Sequence, residues 1–522
     1  MIPDVLEEKT PSMTIESLRK KAWVDWILAG VSLLIVGWVV AEAAIARTWP
    51  LVHDAPLMHY VVFLMERGFV PYRDIVDMNM PGSYIFEWAV MHTLGEGARA
   101  WYLWDVLTGV TAIAASMWIA GSKKRWAGVA AGGLMYVYHL SDGAWNLGQR
   151  DWTVAVLLLI GLGFLFTCIR RREAVWVAGF VCFCGLACSI KPLAALMVIV
   201  FLPALLWVQR GPQSKVAATL GWAAAGAVLP AGMVIWFLSH WHVWPEFFAV
   251  LHGLVPYYAG LAHLGYVQLL KDVAPPRVKV LVLGAVYLFW KHGSWRFWDR
   301  SVASRDWEPI FLAMASLCGF AFFLIQRKGW SYHSYSAVGF ALLWAMVEVD
   351  TEFRRRNERA YVAMALLVVA AFLLPKTLLA QERENTYPMG TVQRLESDLD
   401  GLGGQQLSGQ VQCLDMTRVG CIGVLYEMKL VQATGFIYDF YLFPEKDTAV
   451  TRELQQRFLE KMKESPPKVI VLSSHIWPGD TYGYEELSRW PAFEDFLERS
   501  YQPALVRPRI HRAMGYEVFV LK

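Results

Sequence analysis

Five short segments of this 522-residue chain carry acids and bases into otherwise apolar surroundings. The first, His53-Asp54-Ala55-Pro56, sets a carboxylate after a long apolar stretch and beside a helix-opening proline. A carboxylate partly shielded from water can take a proton from a hydroxyl nucleophile; aspartate at such a place also caps helices. The second, Tyr72-Arg73-Asp74-Ile75-Val76-Asp77-Met78-Asn79, puts two acids three residues apart beside an arginine and an asparagine. That pattern suits sugar hydroxyls or a cation, with turn-fixing as the competing role for Asp74. Gly148-Gln149-Arg150-Asp151-Trp152 offers a second acid and an arginine able to meet a phosphate, against a purely internal Arg150–Asp151 contact. Lys191 stands between two apolar runs, and Arg327-Lys328 is followed by Trp330, Tyr332 and His333. Cations with aromatic neighbours suit a lipid-linked phosphate and charge on a leaving group, with snorkelling to headgroups as the alternative.

The elements that must hold these residues are read from composition. Hydrophobic residues make up 56% of the chain and charged ones 18%, against norms of about 45–50% and about 25%, which excludes a plain soluble enzyme. A net charge of +3 gives no reason to expect a nucleic-acid partner. Eleven apolar stretches suit membrane spans: 26–46, 104–121, 126–140, 153–169, 174–189, 193–209, 217–239, 278–290, 308–325, 335–349 and 361–378. Basic clusters such as Lys123-Lys124-Arg125, Arg170-Arg171-Arg172 and Arg354-Arg355-Arg356 fall on alternate loops. Such clusters stay in the cytoplasm, so the N-terminus is expected inside and the C-terminus outside. Ala44-Ile45-Ala46 is similar to a signal-peptidase site, but the long polar start and the many spans favour an uncleaved anchor. Residues 47–103 then form a long outer loop with two helices lying in the interface, one from Asp54 to Gly68 and one from Pro81 to Gly95. All five reactive segments face that outer side.

From 379 onward the chain reads as an exported α/β domain, with strands at Gln410–Leu414, Gly423–Tyr426, Lys468–Leu472 and Tyr516–Leu521 and a helix at Thr451–Lys463. Cys413 and Cys421 are the two cysteines of this tail, and an oxidising compartment leaves a bond between them open. His240, His242, His252 and His263 match no zinc spacing, so no metal site is assigned. A divalent cation is compatible with the residues but not indicated by them.

The acid Asp54 after the first span, the helix ending at Gly68, Pro71-Tyr72-Arg73-Asp74 and Asn79-Met80-Pro81-Gly82 occur in this order on one side of the membrane. Gly148-Gln149-Arg150-Asp151, Ile190-Lys191-Pro192 and Lys328-Gly329-Trp330-Ser331-Tyr332-His333 follow them. Together they resemble the GT-C superfamily of polyprenyl-phosphate-sugar glycosyltransferases, among them the protein O-mannosyltransferases and the lipid A aminoarabinose transferases. The resemblance covers about residues 20–350 and implies a polytopic α-helical membrane protein with about eleven spans. Residues 1–378 would be the catalytic module and 379–522 the exported domain. It implies an inverting sugar transfer from a polyprenyl-phosphate carrier to a glycan, lipid or protein acceptor, at the outer face of a bacterial inner membrane. Asp54 would deprotonate the acceptor hydroxyl. Many relatives carry Asp-Glu where this chain has His53-Asp54-Ala55, which moves a second carboxylate role to Asp151 or Asp77. Lys191, Arg327, Lys328 and Arg150 would hold the lipid phosphate, and Asp74, Asn79, Tyr332 and His333 would bind substrate. The competing class is a transporter or flippase. Against it, the polar residues sit at one face instead of mid-bilayer, and no two matching halves carry broken spans.

Overall fold

The computed structural model describes residues 15–141, 143–208, 215–294, 307–355, 366, 378–415, 420–474, 477, 487–508 and 515–522. Its first part is helical throughout: α1 (Ile15–Ala46), α2 (Asp54–Met65), α3 (Pro81–Leu94), α4 (Gly97–Ala120), α5 (Arg125–Leu140), α6 (Arg150–Arg171), α7 (Trp176–Ile190), α8 (Ala195–Val208), α9 (Val216–His240), α10 (Trp244–Ala249), α11 (Val255–Gly260), α12 (Tyr266–Asp272), α13 (Pro276–Lys291), α14 (Glu308–Gln326) and α15 (Tyr335–Arg355). The first ten expected stretches all fall on helices, and 361–378 lies outside the described residues apart from Leu366 and Leu378.

Among the described residues, five helices are long and apolar enough to cross a membrane: Asp25–Ala46 within α1, α4, α6, α9 and α14. A sixth is added if α12 and α13, bent by 93° at their break, form one span. Length and composition among the described residues thus confirm five or six of the eleven expected spans. α7 and α8 are apolar but short, and α15 buries Glu348, Asp350 and Glu352 in its last two turns. The apolar helices fit a multi-pass membrane protein.

Within the bundle α4 packs on α5, α6 on α7 and α14 on α15. Gly128 and Gly132, one turn apart on α5, lie so near the α4 backbone at Met117 and Ile113 that an added Cβ would overlap it. Small residues at this spacing allow two apolar helices to approach where lipid gives no hydrophobic drive.

The tail contains α16 (Leu378–Leu402), α17 (Cys421–Glu427), α18 (Ala449–Glu464) and α19 (Pro491–Ser500) around a four-stranded sheet of β1 (Val411–Leu414), β2 (Val469–Ser473), β3 (Tyr501–Arg507) and β4 (Tyr516–Leu521). The strand order is β1-β2-β4-β3, with β1 parallel to β2 and the other pairings antiparallel. The expected strand at Gly423–Tyr426 is instead helical, within α17. Asp415 Oδ2 accepts the Gly420 and Cys421 amides and Gly420 takes the left-handed turn, so the apolar run starts as a helix. β3 was not foreseen because Pro503 and exposed side chains give it no apolar alternation. Cys413 and Cys421 form a disulfide, with Cα atoms 5.9 Å apart, joining β1 to α17.

Two hydrophobic cores result. One is the membrane bundle. The other combines α2 and the 72–91 region with Phe237–Leu261 and the tail's sheet and helices. α2 does not lie in an interface: every residue from Ala55 to Met65 is buried, against α3 and α17. A helix apolar on all sides belongs inside a core.

Candidate functional site

Between the two cores lies a cavity of about 1020 Å³. Of the residues singled out from sequence, Asp54, Asn79, Arg150, Asp151, Lys191, Lys328, Tyr332 and His333 line it. Asp74, Asp77 and Arg327 do not.

Asp54 is the first residue of α2, and the cap position belongs to His53. His53 holds a left-handed φ of 65°, rare without glycine, which sets its ring 4.5 Å from Trp145 and leaves the Asp54 carboxylate on the cavity wall. The carboxylate is one-fifth exposed, 3.4 Å from His53 Nδ1, and accepts a long 3.5 Å bond from Gln149 Nε2. These two long contacts are its side-chain partners among the described residues, and the rest of the carboxylate faces the cavity.

The segment before α6 is held from the bundle interior. Asp105 and His139, both buried, pair at 2.6 Å, with the imidazole stacked on Trp152. The His139 carbonyl accepts from Asn146 Nδ2 at 2.8 Å, and Asp105 reaches the Gly148 amide at 3.4 Å. This ties down the turn that delivers Arg150 and Asp151. Arg150 donates to Asn79 Oδ1. Asp151 forms an ion pair with Lys191, at the end of α7, so two separate pairings stand where an internal Arg150–Asp151 contact was the alternative.

The adjacent cations Arg327 and Lys328 part company. Arg327 adopts a left-handed φ of 53°, and its guanidinium turns to the Leu264 carbonyl at 3.1 Å and the Tyr266 ring. Lys328 is buried in the cavity wall. Its ammonium donates to the Tyr258 carbonyl at 2.8 Å and to that of Leu261, and stands 4.7 Å and 5.1 Å from the Tyr258 and Trp477 rings. No carboxylate lies within ion-pair distance among the described residues. Burial pushes its pKa down to about 8. His333 is held well below the usual histidine range by burial and by the nearby Lys191, Lys328 and Arg150, so the ring is neutral near pH 7. Three cations thus surround one neutral imidazole.

Asp74 fixes its turn, accepting the Val70 amide at 2.8 Å. Asp77 is fully buried behind Asn79 and bonded to Tyr84. The sequence reading missed Trp145, Tyr258, Tyr438 and Trp477. The last two come from the tail across hundreds of residues, which no local pattern signals.

No family model and no curated protein sequence matches the chain. Solved structures do. The aminoarabinose transferase ArnT from Cupriavidus metallidurans, bound to undecaprenyl phosphate, is 13% identical with a TM-score of 0.52, over 95% of this chain and 98% of that one. The Archaeoglobus fulgidus oligosaccharyltransferase tethered to an acceptor peptide is 11% identical with a TM-score of 0.52, over 92% of this chain and 74% of that one. The same archaeal enzyme, AglB, in complex with an inhibitory peptide and a dolichol-phosphate gives a TM-score of 0.50 at 12% identity. The likeness extends over both the bundle and the tail, and the chain shares the fold of these proteins.

Proposed function

We propose that this chain is an integral-membrane glycosyltransferase that moves a sugar from a polyprenyl-phosphate carrier to an acceptor hydroxyl, with inversion, on the outer face of a bacterial inner membrane. The observation that carries this reading is one cavity holding a loosely held carboxylate, Asp54, three cations, and the apolar side chains Val154, Ile190, Leu193 and Ile325. Lipid-phosphate ligands in the neighbours ArnT and AglB support it.

In this reading the acceptor oxygen attacks the anomeric carbon while its proton passes to Asp54. The bond from that carbon to the phosphate oxygen breaks, and the carrier departs as a phosphomonoester with one more negative charge. Lys328, without a carboxylate partner, and Arg150 offset that charge most directly, whereas Lys191 first has to share itself with Asp151. The N-terminus is cytoplasmic, residues 1–378 form the catalytic module, and the disulfide-bearing tail from 379 is exported.

Purified protein given radiolabelled polyprenyl-phosphate sugars in sealed vesicles tests the reading. Label recovered in a covalently modified acceptor supports transfer. Label that crosses the bilayer with the carrier intact makes the protein a transporter and overturns it.

A further inference from the structure

We propose that Asp77 is a positioning residue, which acts through the Asn79 amide to aim the Arg150 guanidinium into the cavity. The inference rests on reading Arg150 as a ligand of the carrier phosphate.

Asp77 is fully buried and outside the cavity lining. It accepts from the Met78 amide at 2.6 Å, the Asn79 amide at 3.2 Å, the Tyr84 hydroxyl at 2.8 Å and Asn79 Nδ2 at 2.8 Å. Asn79 Nδ2 also reaches the Tyr438 hydroxyl at 3.3 Å. Both hydrogens of the amide nitrogen are therefore committed, and Oδ1 is left to accept from Arg150.

The sense of this amide is not free. Turned over, it would present oxygen to the Asp77 carboxylate and NH₂ to the guanidinium, two repulsive contacts in place of two bonds. Tyr72 fixes the same residue from behind, its hydroxyl donating to the Asn79 carbonyl at 2.7 Å. Arg150 has no carboxylate within ion-pair distance among the described residues, so Asn79 is its one hydrogen-bonding anchor there. An arginine already held in one orientation loses less side-chain freedom when a phosphate arrives. Tyr438 belongs to the tail, so the outer loop, the bundle and the tail meet at this one amide.

The test measures binding of radiolabelled polyprenyl phosphate to the full-length protein in nanodiscs. Arg150→Ala should weaken binding by about tenfold, the loss of one charged hydrogen bond. Asp77→Asn and Asn79→Ala should each weaken it about fivefold in the otherwise native protein. On the Arg150→Ala background each should change it by less than about twofold, because the relay then has nothing to aim. A merely structural role would add its full loss there, which overturns the relay while leaving Arg150 as a ligand. An Arg150→Ala protein that binds the carrier normally overturns the reading of Arg150 itself. Asn79→Ala leaves Asp77 its bonds from Met78 and Tyr84, so the cycle still reads out if Asp77→Asn does not fold.

Discussion

The membrane bundle and the outer core bury their side chains by different means. In the bundle, helices close in the sequence pack on one another, α4 on α5, α6 on α7 and α14 on α15, and α5 in turn packs on the distant α1 and α15, all as helix against helix. In the outer core, Tyr60 of α2 bonds across 370 residues to the Leu430 carbonyl, and its oxygen accepts the Gln432 amide. Tyr441 reaches the Val76 carbonyl in the same way. The first outer loop thus folds with the tail as much as with the bundle. The cavity lies on the seam, with Asp151 and Lys191 from one side and Tyr438 and Trp477 from the other. A site assembled this way depends on both cores, and substitutions in each can separate their contributions.

The largest effect is expected on the bundle side. Lys191→Ala strips Asp151 of its partner where the carboxylate is only 12% exposed; removing one member of such a pair costs about 3 kcal/mol. Thermal unfolding should record the loss, and Asp151→Asn on the same background should recover part of it. Next is the outer core. Replacing Cys413 and Cys421 by alanine opens the link between β1 and α17 and should cost about 2 kcal/mol. Limited proteolysis should then cut the tail faster, and carrier binding should fall with it because the cavity shares that core. Binding that persists after the tail is cut would break the comparison.

At the seam the effect is a pH dependence. Burial lowers the Lys328 pKa to about 8, so the ammonium is charged below that pH and neutral above it. Carrier affinity should hold up to about pH 7, fall about twofold by pH 8 and about a further fivefold by pH 9, as the charged fraction falls. Lys328→Arg keeps its charge throughout and should flatten the curve. The smallest effects belong to the surface. Glu96 and Lys429 join the outer loop to the tail at 2.5 Å but are about half exposed, so Glu96→Gln should cost under about 1 kcal/mol in unfolding experiments.

What could be read in the sequence follows the same division. The bundle helices announce themselves through apolar runs, and Asp54, Arg150, Lys191 and Lys328 through charges placed at their ends. The eleven expected spans are not confirmed, because a short apolar run such as 174–189 has the composition of a span without its length. Arg327 and Lys328 were indistinguishable in sequence, and a single left-handed residue sends one to Leu264 and the other to the cavity. Asp77 carried the residue type of a base, but its burial behind Asn79 gives it a supporting place. Tyr438 and Trp477 left no signal, since long-range packing alone brings them to the site.

The most direct test compares Asp54→Asn with the native protein in both sugar transfer and carrier binding. The account predicts that turnover falls about a hundred- to ten-thousand-fold, the usual contribution of a general base, while radiolabelled polyprenyl phosphate binds within about twofold of native, because the cations are intact. Asp54→Asn protein that turns over at the native rate would contradict it.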